Sequence, residues 1–300
     1  MSFFVQTTNL EKFLKYKKWI FFINLVKPRL VPMVLIATAA GFYLGSPANV
    51  ELLTLFHVLL GTALASSGTL GLNQVIEIDI DKKMSRTKDR PLPSGQIFMF
   101  EAIAFSAFLL ISGLVYLLTF VNLICSFVTL ISAVIYLLIY TPLKTRSPLN
   151  SIIGAIPGAI PPLIGWSAAR GFLSTESFIL FTILFLWQIP HALAIAIMYK
   201  EEFVAAGIKL LPTDDLNGRN TCRHIIVYCL TLIPVAMMPK FIGMAGNIYF
   251  FSSITLGIIY LSFGISLFRN YSISSARKLF YVSLVYLPLL LLTMVLNQVN

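Results

Sequence analysis

The chain has 300 residues, of which 58% are hydrophobic and only 11% charged, with a formal net charge of +10. Soluble globular domains carry about 25% charged residues, so this composition, with a mean hydropathy of +0.87, excludes a soluble enzyme and describes an all-α polytopic membrane protein. In such a chain Lys and Arg report topology before they report partners, and here they sit in short loops beside apolar runs, which argues against nucleic acid as a partner.

Residues 1–29 carry Lys12, Lys15, Lys17 and Lys18 ahead of the aromatic-rich run Trp19–Leu25, followed by Lys27-Pro28-Arg29. No small-residue cleavage site follows. The segment therefore reads as a cytoplasmic, interfacial helix on the anionic inner leaflet, not as a cleavable signal. Nine apolar runs come next, each near the ~20 residues that cross ~30 Å of hydrocarbon. They lie roughly at 30–46, 52–72, 97–118, 120–140, 150–168, 177–199, 225–243, 248–268 and 279–297. Proline loosens the fifth (Pro157, Pro161, Pro162) and the seventh (Pro234, Pro239). Nine alternating spans with the N-terminus inside put twenty of the twenty-two bases on one side and leave only Arg170 and Lys240 opposite. The layout is one domain, 1–300, with no soluble module.

The loop after the second span concentrates the charge. Between Asn73 and Gly95 stand the acids Glu77, Asp79, Asp81 and Asp89 and the bases Lys82, Lys83, Arg86, Lys88 and Arg90. Asn73, Glu77 and Asp81 recur every four residues, which on a helix confines them to an arc of ~80° along ~12 Å of axis. Hard oxygen donors in such a stripe suit Mg²⁺, which commonly shares its shell with substrate phosphates. Asp79 points elsewhere, toward solvent or Lys83. Guanidinium forks match phosphate oxygens two at a time, so the bases that follow complete a candidate site for a metal–diphosphate complex at the membrane surface.

Polar groups recur further along. Lys144 and Arg146 end the fourth span and read either as inner-side topology charges or as facing the same diphosphate. Asn150 supplies a hydrogen bond there or caps the fifth span. His191 follows Pro190 within the sixth span, where an ionisable group is costly and commonly functional. It either bonds a neighbouring helix or serves the chemistry. His57 and His224 read as structural. A second long loop, 199–224, holds Glu201, Glu202, Asp214 and Asp215, and the two long loops together carry eight of the twelve acids. Catalytic capacity therefore lies on one face. Cys125, Cys222 and Cys229 have no spacing that points to a metal or a disulfide.

From Asn73 to Gly95 the pattern N-x3-E-x3-D-x2-M-x-R-T-x2-R-P-L-x-S-G resembles the first signature of the UbiA-type intramembrane prenyltransferases. Tyr140–Asn150, the following stretch to Trp166, Trp187–His191 and Tyr199–Pro212 resemble the haem O synthase branch of that family. The likeness runs with specific motifs from about Lys27 to Pro212. It implies transfer of a farnesyl group from farnesyl diphosphate to a vinyl group of haem b, with addition of water. Haem b is then a substrate and Mg²⁺ the cofactor. The resemblance assigns catalysis to Asn73, Glu77, Asp81, Arg86, Arg90 and Lys144, with the first three holding the metal. It assigns substrate binding to Lys88, Arg146, Asn150, His191, Tyr199, Glu201 and Glu202, with His191 facing the porphyrin.

The family often carries a DxxxD pair after the sixth span. Counted back from Gly207, those positions are Tyr199 and Phe203 in this chain. Adjacent Glu201 and Glu202 diverge by ~100° on a helix, so at most one of them faces a metal. The expected location is a bacterial cytoplasmic (inner) membrane, with lipid around the protein and, by family association, a haem A synthase or a terminal oxidase downstream. Two other readings stay open: an aromatic prenyltransferase for quinone precursors on the same fold, and a secondary transporter for an anionic solute, whose site would lie near the bilayer midplane.

Overall fold

A computed structural model describes residues 18–46, 50–215 and 217–299 of the chain. Lys12, Lys15 and Lys17, expected to lay the N-terminal segment on the membrane, fall outside the described residues. Lys18 pairs with Glu101 at 2.6 Å. Among the described residues the regular elements are helical, and the one extended pairing is a single bridge between Ala245 and Gln298.

Helical residues 18–25, α1, turn into α2 (Val31–Gly45), α3 (Leu52–Ile76) and the short α4 (Ile78–Asp81). After the charged loop come α5 (Met99–Phe120) and α6 (Leu123–Val134), which widens into a π-helix over Ile135–Tyr140 before α7 (Thr141–Leu143). The rest comprises α8 (Asn150–Ala159), α9 (Pro161–Arg170), α10 (Thr175–Met198), α11 (Lys200–Ala205), α12 (Leu211–Asp214), α13 (Arg219–Phe241), α14 (Asn247–Arg269) and α15 (Ile273–Leu296).

Eight helical stretches among the described residues are long and apolar enough to cross a membrane. The remaining expected span, the first in the chain, is α2, whose 15 residues rise about 22 Å. The fourth span begins at Leu123, later than expected, because Asn122 caps it: its Oδ1 accepts the Cys125 N–H at 2.8 Å. The seventh and ninth begin earlier, at Arg219 and Ile273. Their first turns carry Arg219, Arg223, Arg277 and Lys278, all exposed, whose long stems let the charge reach water. Proline interrupts only the fifth span. Pro161 and Pro162 open α9 after Ile160, whereas Pro157, Pro234 and Pro239 lie inside helices.

The outer surface is apolar: Leu52 is 74% exposed, Phe108 67% and Phe251 66%. So much exposed grease is a liability in water and the proper surface in lipid. Between helices the hydrophobic effect gives little, so small residues and close packing decide. A Cβ on Gly165 would stand 1.9 Å from the Thr38 carbonyl oxygen, and one on Gly41 2.2 Å from that of Pro162; these two positions let α2 and α9 meet backbone to backbone. Along α3 lies α5, and α10 touches α8, α13 and α15. Tyr249, Tyr260 and Tyr286 are fully buried among the last four long helices. At the π-helical turn the widened backbone frees carbonyls, and Thr141 Oγ1 donates to that of Tyr136 at 2.7 Å.

Candidate active site

α3 ends at Ile76, yet its hydrogen-bond ladder continues. The Glu77 N–H donates to the Asn73 carbonyl at 3.0 Å and the Asp81 N–H to the Glu77 carbonyl at 2.8 Å. Asn73, Glu77 and Asp81 therefore keep one stripe across the break into α4, and all three are buried. A cation meets each of them. Lys27 Nζ donates to Asn73 Oδ1 at 2.8 Å, the Lys144 ammonium stands 2.5 Å from Glu77 Oε1, and Arg90 Nη1 donates to Asp81 Oδ2 at 2.6 Å. Asn73 Nδ2 also donates to Thr141 Oγ1 at 3.0 Å, which ties the stripe to the π-helical turn. Asp79 is outside this set. It faces solvent, the first of its two expected surroundings, with Lys82 and not Lys83 at 3.6 Å.

A cavity of about 320 Å³ descends from these groups into the bundle. Lys27, Glu77, Asp81, Arg86, Arg90 and Lys144 ring its mouth, and Gly154, Ala155, Gln188 and Ala192 line its lower wall. Two carboxylates against Lys27, Arg86, Arg90 and Lys144 leave two positive charges in excess, or one when Lys27 is neutral. A diphosphate that brings one divalent cation adds about one negative charge. The donors also fit such a cation, because Glu77 and Asp81 each accept their cation through one oxygen only, leaving hard oxygens toward the cavity.

Lys27 is the residue that the sequence hides. It was legible only as part of a basic triplet before the first span. Among the described non-glycine residues it alone has a positive φ, 52°, a left-handed conformation that costs about 1–2 kcal/mol. That turn swings its ammonium over the stripe. Burial pulls the Lys27 ammonium down to about 7, with Arg90 and Lys144 acting the same way and Glu77 and Asp81 against. For Lys144 burial also opposes the charge. Tyr140 and Glu77, then Tyr136, outweigh it and hold the ammonium well above the ordinary lysine value. The Tyr140 ring lies 4.6 Å from that ammonium.

Other expected residues divide. Arg86 lines the cavity and lies over the Tyr199 ring at 5.1 Å. Asn150 lines it too, but its amide donates to the carbonyls of Ser147, at 2.9 Å, and of Lys144 and Lys209, which pins two loops together. Lys88, Arg146 and Glu201 are exposed and do not line the cavity. Glu202 accepts from Ser85 Oγ at 2.7 Å, docking the charged loop on α11, where Met84 packs with Ala206 and Ile208. The usual acidic pair is replaced by Tyr199 under Arg86 and by Phe203 in the cavity wall. His191 faces away from this cavity. Its Nδ1 is hydrogen-bonded to Ser283 Oγ on α15 at 2.6 Å, between the rings of Trp187 and Phe280.

A family profile described as the UbiA prenyltransferase family matches residues 34–288. A protein of Solibacter usitatus (strain Ellin6076) named protoheme IX farnesyltransferase is 42% identical over 286 residues, covering 92% of this chain and 98% of its own. One of the same name from Aquifex aeolicus (strain VF5) is 37% identical over 280 residues, with 93% and 95% covered. A structure concerning digeranylgeranylglyceryl phosphate synthase superposes with a TM-score of 0.80 at 21% identity, over 94% of this chain and 98% of the other. A UbiA homolog from Archaeoglobus fulgidus bound to GPP and Mg²⁺ gives a TM-score of 0.69 at 16% identity, over 91% and 99%. At these identities the two structures speak for the fold alone.

Proposed function

We propose a function from one premise: this chain belongs to the UbiA prenyltransferase family. It is a polytopic membrane enzyme that transfers a farnesyl group from farnesyl diphosphate to a vinyl group of haem b, with addition of water, and so makes haem O. The acceptor follows from relatives named protoheme IX farnesyltransferase that match over nearly the whole chain. The single observation that carries the chemistry is the cavity mouth, where two buried carboxylates and their paired cations surround one opening. Residues 1–300 form one prenyltransferase domain in this reading, in a bacterial cytoplasmic membrane, and the bias of Lys and Arg supports a mouth toward the cytoplasm. A haem A synthase or a terminal oxidase as the next user of the product rests on family association.

An allylic diphosphate ionises when negative charge growing on the leaving oxygens is stabilised. Lys27, Arg86, Arg90 and Lys144 hold those oxygens at the mouth. Glu77 and Asp81 would hold Mg²⁺, which when bound supplies Lewis-acid neutralisation of the leaving group, while Asn73, bonded to Lys27 and Thr141 and outside the cavity lining, positions them. The small residues Gly154, Ala155 and Ala192 bed the prenyl chain away from water, and the Tyr140 ring offers a π face to positive charge. Lys88, Arg146 and Glu201 act, in this reading, only through the field at the membrane surface. Charge at the mouth, not at the midplane, weighs against the transporter alternative.

Expression in a host that lacks haem O tests the reading by mass analysis of the haem pool. Haem O should appear only when the protein is present. Prenylated hydroxybenzoate with unaltered haem b would replace this reading by the quinone-precursor one. A second test uses Lys27. Its proton is lost in the empty site as pH rises through about 7, and a bound diphosphate favours the protonated amine. Affinity for inorganic pyrophosphate should therefore fall with rising pH above that value, by up to about tenfold per pH unit. Lys27→Met should bind more weakly and without that slope, as titration calorimetry would read.

A further inference from the structure

We infer that Gln188 holds the water that enters the product, a step that rests on the haem-farnesylating reading above. Gln188 lines the lower wall of the cavity. Its neighbours on α10 are satisfied: Trp187 Nε1 donates to the Ser283 carbonyl at 2.9 Å, and His191 is hydrogen-bonded to Ser283 Oγ. Gln188 has no hydrogen-bond partner among the described residues. An amide with two donors and an acceptor oxygen facing an otherwise apolar wall at membrane depth is costly unless something polar meets it.

The backbone of α8 fixes where that amide sits. A Cβ on Gly154 would stand 2.4 Å from the Tyr140 ring, and a Cβ on Gly158 2.2 Å from Gln188 Oε1 and 2.3 Å from Nε2. The two glycines, one turn apart, are therefore notches. The one nearer the mouth seats an aromatic ring, and the one below seats the amide.

Depth is what the chemistry requires. The farnesyl C1–O bond breaks and its electron pair leaves with the diphosphate. The terminal vinyl carbon then bonds to C1, and the positive charge moves to the inner vinyl carbon beside the porphyrin ring. Water that met C1 first would give the free prenyl alcohol and waste the donor. The nucleophile must wait away from the cation-rich mouth where C1 is released, and Gln188 lines the wall apart from those charged groups. Its Oε1 accepts one O–H of the water and leaves a lone pair for the inner vinyl carbon, where the new C–O bond forms. The amide takes no proton. The surplus proton passes through cavity water to the released pyrophosphate.

Gln188→Leu keeps the volume and removes the polar group. The wild type should give the hydroxylated farnesyl haem. The variant should still consume haem b and farnesyl diphosphate, but most of its product should be lighter by one water, because the stranded cation loses a proton from the neighbouring carbon instead. Gly158→Ala, which displaces the amide without removing it, should give the same lighter product, and it carries the test if Gln188→Leu does not fold. Hydroxylated product in wild-type proportion from a folded variant would overturn the assignment. So would a folded Gln188→Leu protein that no longer joins farnesyl to haem at all. Absence of any farnesylated haem from the wild type would instead defeat the functional reading on which the step rests.

Discussion

Asp81→Asn is expected to lower haem O formation by about 10²–10³-fold while the protein stays folded, the order of loss when one preorganised stabiliser of a leaving group is removed, here the cation that Asp81 would hold. The substitution is nearly isosteric, and its carbonyl oxygen still accepts from Arg90, which lies 2.6 Å from Asp81 Oδ2. What disappears is the negative charge. The mouth then carries one more positive charge in excess than before, and a hard divalent cation loses one of its two carboxylates. Turnover should fall and the Mg²⁺ concentration needed for half-maximal rate should rise. Wild-type turnover with an unchanged Mg²⁺ requirement would remove Asp81 from the metal-holding set.

Lys144→Met should be damaging in a different way. Glu77 and Lys144 are 7% and 17% exposed, and removing one member of a buried ion pair costs about 3–5 kcal/mol because the other is left charged without a partner. The single variant should melt at a clearly lower temperature in detergent and make almost no haem O. Adding Glu77→Gln removes the stranded carboxylate, so the double variant should regain most of the lost thermal stability. It should regain none of the activity, since the diphosphate has lost a cation and the metal a carboxylate. A Lys144→Met protein as stable as the wild type would mean that the pair does not bear on folding; recovery of turnover in the double variant would remove both residues from the chemistry.

The spans were legible because a bilayer demands length and apolarity and little else. Their ends were less so, since caps such as Asn122 and snorkelling bases such as Arg219 and Arg277 decide where a helix starts. The Asn73, Glu77, Asp81 stripe was legible because its four-residue period survives the break after Ile76 through two backbone hydrogen bonds. Which cations would meet it was not. Lys27 is 46 residues from Asn73, and nothing local to it signals a left-handed turn. His191 takes the helix-bonding alternative, through Ser283. Trp187 and His191, four apart, share one face of α10, whereas Gln188, Ala192 and Ile195 share the face toward the cavity. Helical periodicity alone separates these faces.

Six residues of π-helix, Ile135–Tyr140, hold one residue more than an α-helix would over the same rise. Wound as α-helix instead, the same six residues would rotate everything from Thr141 onward by ~100° about the helix axis. Thr141 would leave Asn73, and Lys144 would leave Glu77, with no side chain at either place altered. The fourth span thus works like a geared shaft whose angular phase is kept by one wider turn. The reactive end is tuned from within the bilayer by how that turn is wound, an adjustment that no point substitution at the surface can imitate.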